Sequence, residues 1–350
     1  EYILCNFQAY RVSFKSILKF IKTYRNKKDR IYIFHKVSHL NIFILKILCP
    51  NLKYSLLYWG DDFYGSFFYP DQIEKHCIKR NSYLDKNLYS LHQNSFLDTV
   101  RVNIKKILGF YVLDKSAGLV SLTKKQLKIL KKFYYLFYGK HLNISHKMLA
   151  GYNYNLNDKF ISKFQTQSKN HLNILICHSA SDSVFHKQSL EIIKNYKKLW
   201  NVEINIYGFL SYSGGSNEDR DILEKEIRDY ANFANSFHLE RSFLNINSLS
   251  KILENIHVAL FSSFRDEGVT ILKEFIQVGG IMSFNKNSIN FDFFKSICPD
   301  KVLTHLQFLE LNIDTISQLR LKDPTIIYDL LSYEELGNQK IKYGKILLNQ

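Results

Sequence analysis

The 350 residues, 46% of them hydrophobic, suit two packed cores of ordinary size better than one. A basic excess of 48 Lys and Arg over 32 Asp and Glu, net +16, points to an anionic partner: nucleic acid, nucleotide phosphates or a lipid surface. Five scattered cysteines (Cys5, Cys49, Cys77, Cys177, Cys298) without a CxxC pair exclude a zinc or disulfide framework and read as reduced core thiols of a cytosolic protein; no apolar run is long enough to span a membrane.

The chain begins on Glu1 and runs straight into a strand-like segment at 2–5, so a preceding strand and helix of the first domain are expected to be missing. A helix is predicted over 13–24, where Phe14, Ile17, Leu18 and Ile21 share one face. A strand at 30–35, a helix at 41–48 and a strand at 54–58 follow. That last strand ends in Trp59-Gly60-Asp61-Asp62-Phe63-Tyr64. The basic, aromatic stretch 67–114 has mixed patterns and receives no element. A short strand at 118–121 precedes a helix at 123–138, with Leu127, Leu130, Phe133, Tyr134 and Phe137 on one side and lysines on the other.

Residues 155–170 are polar and read as the linker between a first domain (1–154) and a second (171–322); 323–350 form a C-terminal helical segment with a helix at 325–331. The second series predicts a strand at 172–177, a loop at 178–182 and a helix at 186–200. It continues with a strand at 202–207, a loop at 208–217, a helix at 218–233, an apolar segment at 237–239 and a helix at 248–253. Then come a strand at 257–263, the turn Phe264-Arg265-Asp266-Glu267-Gly268, a helix opening near Thr270 and stopping at Gly279-Gly280, and a strand at 281–284. Two such βα series imply two doubly wound, Rossmann-like α/β domains facing across a cleft, with ligand sites at the C-terminal ends of the strands.

Three places on those rims carry the chemistry. An Arg-Gly turn opening onto a helix suits a diphosphate, because free N–H groups, the helix dipole and a bidentate guanidinium all favour an anion. The small-residue loop from His178 to Ser183 can hold phosphate in the same way, or simply cap its helix. Asp61 and Asp62 deliver two adjacent carboxylates to a strand exit beside His35, a setting for a general base or for a polar turn. There is no GKS/T loop, GxGxxG, HExxH or GxSxG, so NTPase, dehydrogenase, zincin and α/β-hydrolase chemistry lose their support.

In order and spacing over about residues 30 to 295, these stretches resemble the bacterial 4-alpha-L-fucosyltransferase family. The family's FHG, WGxDLY, GNS-loop, LSYG, RQQGxG and IQxG signatures match a series of segments here. They are Phe34-His35-Lys36, Trp59 to Tyr64, His178-Ser179-Ala180 with His186 downstream, Leu210-Ser211-Tyr212-Ser213-Gly214, Arg265 to Thr270, and Ile276-Gln277-Val278-Gly279. The next strand runs into Asn285. The chain departs from the pattern where Asp266 and Glu267 replace two glutamines, Thr270 replaces a glycine, Cys177-His178 replaces GN, and Lys36 replaces the Gly of FHG.

The resemblance implies a GT-B glycosyltransferase with no metal and no cofactor. It would move an N-acetylfucosamine-like deoxyhexose from a TDP-sugar to an undecaprenyl-diphosphate-linked glycan, with inversion, as in enterobacterial common antigen synthesis. The enzyme would work peripherally at the cytoplasmic face of the inner membrane, with an anionic bilayer and no nucleic acid as partner. Asp62 is the expected base, with Asp61 and His35 behind it; Trp59, Gly60 and Tyr64 would meet the acceptor. Ser179, His186, Ser211, Tyr212, Arg265, Glu267, Gly268, Thr270 and Asn285 would bind the donor. Two alternatives stay open: a retaining GT-B enzyme using a UDP- or GDP-sugar, and a non-catalytic protein binding nucleic acid or anionic surfaces.

Overall fold

The computed structural model describes residues 31–35, 39–57, 96–121, 124–143, 146–148, 171–180, 186–211, 216–263 and 268–322, together with Ile21. The described residues up to 148 belong to one compact unit and those from 171 onward to a second. The predicted segments at 2–5 and 325–331, the linker, and all of 13–24 except Ile21 lie outside the described residues.

In the first unit, strands β1 (Ile31–His35), β2 (Lys53–Leu57), β3 (Gly118–Ser121) and β4 (His146–Met148) form a parallel sheet in the order β1-β2-β3-β4. Its helices among the described residues are α1 (His39–Leu48), α2 (Phe96–Asp114) and α3 (Lys124–Tyr138). Phe43 of α1 meets Tyr111 of α2 edge-on at 5.2 Å, and Phe110 of α2 meets Tyr134 of α3 at 5.4 Å. Two hydroxyls bind these layers: Tyr54 of β2 donates to the Val112 carbonyl at 2.6 Å, and Tyr134 donates to Asp114 at 2.7 Å. A buried phenol costs little when its O–H finds such a partner. The sequence reading assigned neither α2 nor β4. α2 places apolar residues on both its inner and outer sides, so it lacks the single stripe by which an amphipathic helix is recognised.

The second unit holds a six-stranded sheet, parallel throughout: β5 (His171–Cys177), β6 (Glu203–Phe209), β7 (Ser236–Glu240), β8 (Val258–Phe261), β9 (Ile281–Phe284) and β10 (Val302–Thr304). The spatial order is β7-β6-β5-β8-β9-β10, the doubly wound arrangement in which the chain reverses direction between β5 and β8. Parallel strands covered on both faces read as near-continuous apolar runs, and β8 and β9 are buried at every position. The helices are α4 (His186–Trp200), α5 (Asn217–Tyr230), α6 (Ile246–Asn255), α7 (Val269–Gln277), α8 (Ile289–Ile297), α9 (His305–Leu309) and α10 (Ile313–Leu321). Nothing between 285 and 322 was assigned from the sequence, yet α8, β10, α9 and α10 complete the sheet and its cover there.

Two polar devices fix this unit. At the N-terminal ends of the strands, Ser236 donates to Asn205 at 2.8 Å, and Asn205 donates to Asn173 at 2.9 Å. Asn173 in turn donates to the Asn255 carbonyl at 2.7 Å. These side chains are register partners across β7, β6 and β5, so a one-residue slip would break them all. Second, buried Arg320 of α10 donates from Nε to the Ile256 carbonyl at 3.0 Å, from Nη2 to Leu253 at 3.2 Å, and from Nη1 to Val278. One guanidinium thus satisfies carbonyls at the C-terminal ends of α6 and α7, where a cation is also favoured by the helix dipoles. Burial still lowers its pKa to about 9.

Candidate functional site

The strand order reverses between β5 and β8, and at such a reversal folds of this kind bind ligands outside the C-terminal ends of the strands. At the end of β5 the register with β6 shifts between Leu175 and Cys177. Gly208 of β6 fits there because a Cβ would stand 2.7 Å from Cys177 Sγ and 2.9 Å from Leu239. The chain then delivers His178, whose ring stacks on Phe261 of β8 at 5.7 Å and 19°.

Gly268, the residue before α7, has φ +68°, a left-handed conformation that costs glycine nothing and other residues something. A Cβ there would lie 2.8 Å from Phe261 and 2.9 Å from His178 Nδ1. His178, which opens the loop after β5, and Gly268, which closes the turn before α7, therefore lie against each other. The Gly268 carbonyl accepts from Leu272 N at 2.9 Å, and Gly268 has no side chain with which to cap the first turn. By contrast α5, α6, α8, α9 and α10 are capped by Ser216, Asn245, Ser288, Thr304 and Asn312.

The histidines here are uncharged. Burial, with His186 nearby, pushes the His178 pKa down to about 3. Burial takes His186 to about 4, although its contact with the Ser179 carbonyl opposes the fall. His186 opens α4, and its Nε2 lies 3.1 Å from the Ser179 carbonyl oxygen, so it fastens the loop after β5 from below. Ser179 is itself buried.

Of the other expected donor-site residues, Ser211 follows β6 on the same rim and is partly exposed. Thr270 lies in the first turn of α7. Asn285 follows β9, and its side chain accepts from Asn287 N at 2.9 Å in a local turn. Tyr212, Arg265 and Glu267 lie outside the described residues. In the first unit, His35 ends β1 in register with Leu57 of β2, which places it at the same edge as the exit toward Trp59. Trp59, Gly60, Asp61, Asp62 and Tyr64 also lie outside the described residues.

Sequence reasoning missed a polar chain beneath the rim. Ser189 of α4 donates to Ser262 at 3.0 Å, Ser262 lies 3.4 Å from His305 Nε2, and Ser283 of β9 lies 2.9 Å from His305 Nδ1. Burial lowers the His305 pKa to about 4, so a neutral ring donates through one nitrogen and accepts through the other. Next to it, the buried Ser263 hydroxyl has no hydrogen-bond partner among the described residues. Consecutive serines ending a buried strand were the available signal; His305 had none, since its partners come from two strands and its own helix was not foreseen.

No protein-family model and no curated protein matches the chain. Solved structures do match its fold. The pneumococcal O-GlcNAc transferase GtfA, bound to UDP and GlcNAc, aligns at a TM-score of 0.52 and 16% identity over 95% of this chain. A mutant of S. aureus TarM, in complex with UDP, α-GlcNAc-glycerol and fondaparinux, aligns at 0.57 and 13% over the whole chain. A UDP-forming α,α-trehalose-phosphate synthase from Burkholderia xenovorans aligns at 0.58 and 10% over 97% of this chain and 80% of its own. The chain spans 60% of GtfA and 61% of the TarM chain. At these identities the likeness establishes the GT-B fold, and the expected α/β class with it.

Proposed function

We propose that this chain is a glycosyltransferase that holds the diphosphate of a nucleotide-sugar at the β5–β8 rim of its second unit. The observation that carries the reading is the contact of His178 with Gly268 at the strand-order reversal. It sets the start of a small-residue loop against the residue that precedes α7, which caps that helix with no side chain. Developing charge on a leaving diphosphate would meet preorganised N–H groups and the positive end of the helix dipole, joined by Arg265. Ser179, Ser211, Tyr212, Glu267, Thr270 and Asn285 would frame the rest of the donor, and neutral His186 would hold the Ser179 loop in place.

The motif resemblance supports a TDP-linked deoxyaminohexose, an undecaprenyl-diphosphate-linked acceptor and inversion at a cytoplasmic membrane face. In an inverting transfer the acceptor oxygen bonds to the anomeric carbon as the carbon–phosphate oxygen bond breaks, and a base takes the hydroxyl proton. Asp62 is the candidate base, with Asp61 and His35 behind it and Trp59, Gly60 and Tyr64 against the acceptor. The second reading is retaining transfer from a UDP- or GDP-sugar, and the UDP found in structures of the same fold favours its UDP form of the donor.

A thermal-shift screen across TDP-, UDP- and GDP-sugars tests the proposal. A donor at a hundredfold its Kd stabilises by about 2.7 kcal/mol, and anomeric analysis of the product then separates inversion from retention. No shift with any nucleotide-sugar, combined with steeply salt-dependent nucleic-acid binding, would favour a non-catalytic binder.

A further inference from the structure

We infer that the outer surface of α1 and α2 in the first unit is an apolar seat for an anionic lipid bilayer, bordered by the lysines of α3. Val100, Ile104, Ile107 and Tyr111 of α2 follow a spacing of four, three and four, which aligns them on one helix face, and all four are exposed. Ile104 and Ile107 show 51% and 49% of their surface to solvent. The opposite face, with Phe110, Val112 and Leu113, is buried in the unit's own core. α2 is therefore apolar on its outer side as well as its inner one, a pattern a helix facing only water does not need.

α1 repeats the spacing. Leu40 and Ile47 are exposed and Ile44 is partly so; through Phe43 and Tyr111 this helix packs beside α2. The aromatic contacts of Phe110 bring α3 alongside on the other flank. α3 contains five lysines and no acidic residue, and Lys128, Lys131 and Lys132 are exposed. Asp114 at the end of α2 accepts from the Tyr134 hydroxyl and lies 3.6 Å from Lys140.

An exposed apolar surface beside the exposed lysines of α3 fits the interface of an anionic leaflet. Apolar side chains enter the acyl boundary there, and lysines meet the headgroups. The inference takes its partner from the membrane-associated reading above and locates the contact; it does not depend on sugar transfer.

Co-sedimentation with vesicles of mixed phosphatidylglycerol and phosphatidylcholine, and with phosphatidylcholine alone, provides the test. The wild-type chain is expected to bind the mixed vesicles and to bind neutral ones far more weakly. The I104E/I107E variant is expected to bind the mixed vesicles about tenfold more weakly or worse, with I104Q/I107Q as the substitute should the charged pair fail to fold. The K128Q/K131Q/K132Q variant is expected to lose the preference for anionic vesicles. Both variants should retain the wild-type thermal shift with nucleotide-sugars.

Undiminished binding by the isoleucine variants would overturn the apolar seat, and binding to neither vesicle would overturn the lipid partner altogether. A wild-type dimer in sedimentation velocity that I104E/I107E converts to monomer would assign the face to a second copy instead. If vesicle binding follows the expectation while no nucleotide-sugar shifts the melting, the transferase reading falls and this one stands.

Discussion

Replacing Gly268 by alanine should disturb the candidate site more than its single added carbon suggests, and the cost has two parts. The first is conformational: at φ +68° an L-residue is disfavoured by roughly 1–2 kcal/mol. The second is steric: the new Cβ would stand 2.8 Å from Phe261 and 2.9 Å from His178, both packed rings that cannot swing away without disturbing β5 and β8. Overpacking of that kind typically costs about 1–3 kcal/mol, so the total for the second unit is roughly 2–5 kcal/mol. Gly139 supplies the control. It has φ +65° with nothing within 4 Å of a built Cβ, so Gly139→Ala should show the conformational part alone. Urea unfolding followed by circular dichroism gives the stabilities, and a thermal-shift titration with the best nucleotide-sugar gives the donor affinity. Gly268→Ala should lose clearly more stability than Gly139→Ala and should bind donor more weakly, whereas Gly139→Ala should leave donor affinity unchanged. Equal stability losses with donor binding intact would refute the claim that Gly268 is held against His178.

Arg320→Met should destabilise the second unit by about 3 kcal/mol, because it strands the carbonyls of Ile256 and Val278 in the interior and takes one of two donors from the Leu253 carbonyl; a loss below about 1 kcal/mol in urea unfolding would count against that role. Acid should weaken the fold early. An unfolded histidine takes up a proton near 6.5, while His178, His186, His257 and His305 in the fold do so only near 3 to 4. The unfolded chain therefore binds more protons across that window, and stability present above about pH 6.5 should drain away as the pH falls toward 4; urea midpoints that stay flat over this range would contradict the neutral assignments. Arg265→Ala should weaken donor binding by roughly 1.5–3 kcal/mol, the range for a hydrogen bond to a charged group, and unchanged affinity would remove Arg265 from the diphosphate site. Asp62→Asn should lower turnover about a hundredfold to ten-thousandfold while still binding donor, with Asp61→Asn losing much less; the reverse order would move the base elsewhere, His35 being next.

Local pattern was enough for the elements whose two sides differ. The apolar runs at 172–177 and 281–284 announced buried parallel strands, and Gly279-Gly280 marked the stop of α7. The Arg-Gly turn and the His178–Ser179 loop were singled out because free N–H groups at a strand-to-helix junction suit an anion wherever they occur in a chain. Elements without such contrast were not legible: α2 is apolar on both sides, and β10 and α9 are too short to show a period. What only tertiary structure could decide is which rims are neighbours. Strand order depends on how the βα units wind back on the sheet, and no local pattern encodes that β5 lies next to β8. That adjacency presses His178 against Gly268, and it joins Ser189, Ser262, Ser283 and His305 across 116 residues of sequence into one buried polar chain. Sequence alone supplied the chemical types and their places on strand ends. Packing decided that His186 and His305 are neutral and turned inward, because the pKa of an imidazole follows its surroundings and those are assembled from distant segments.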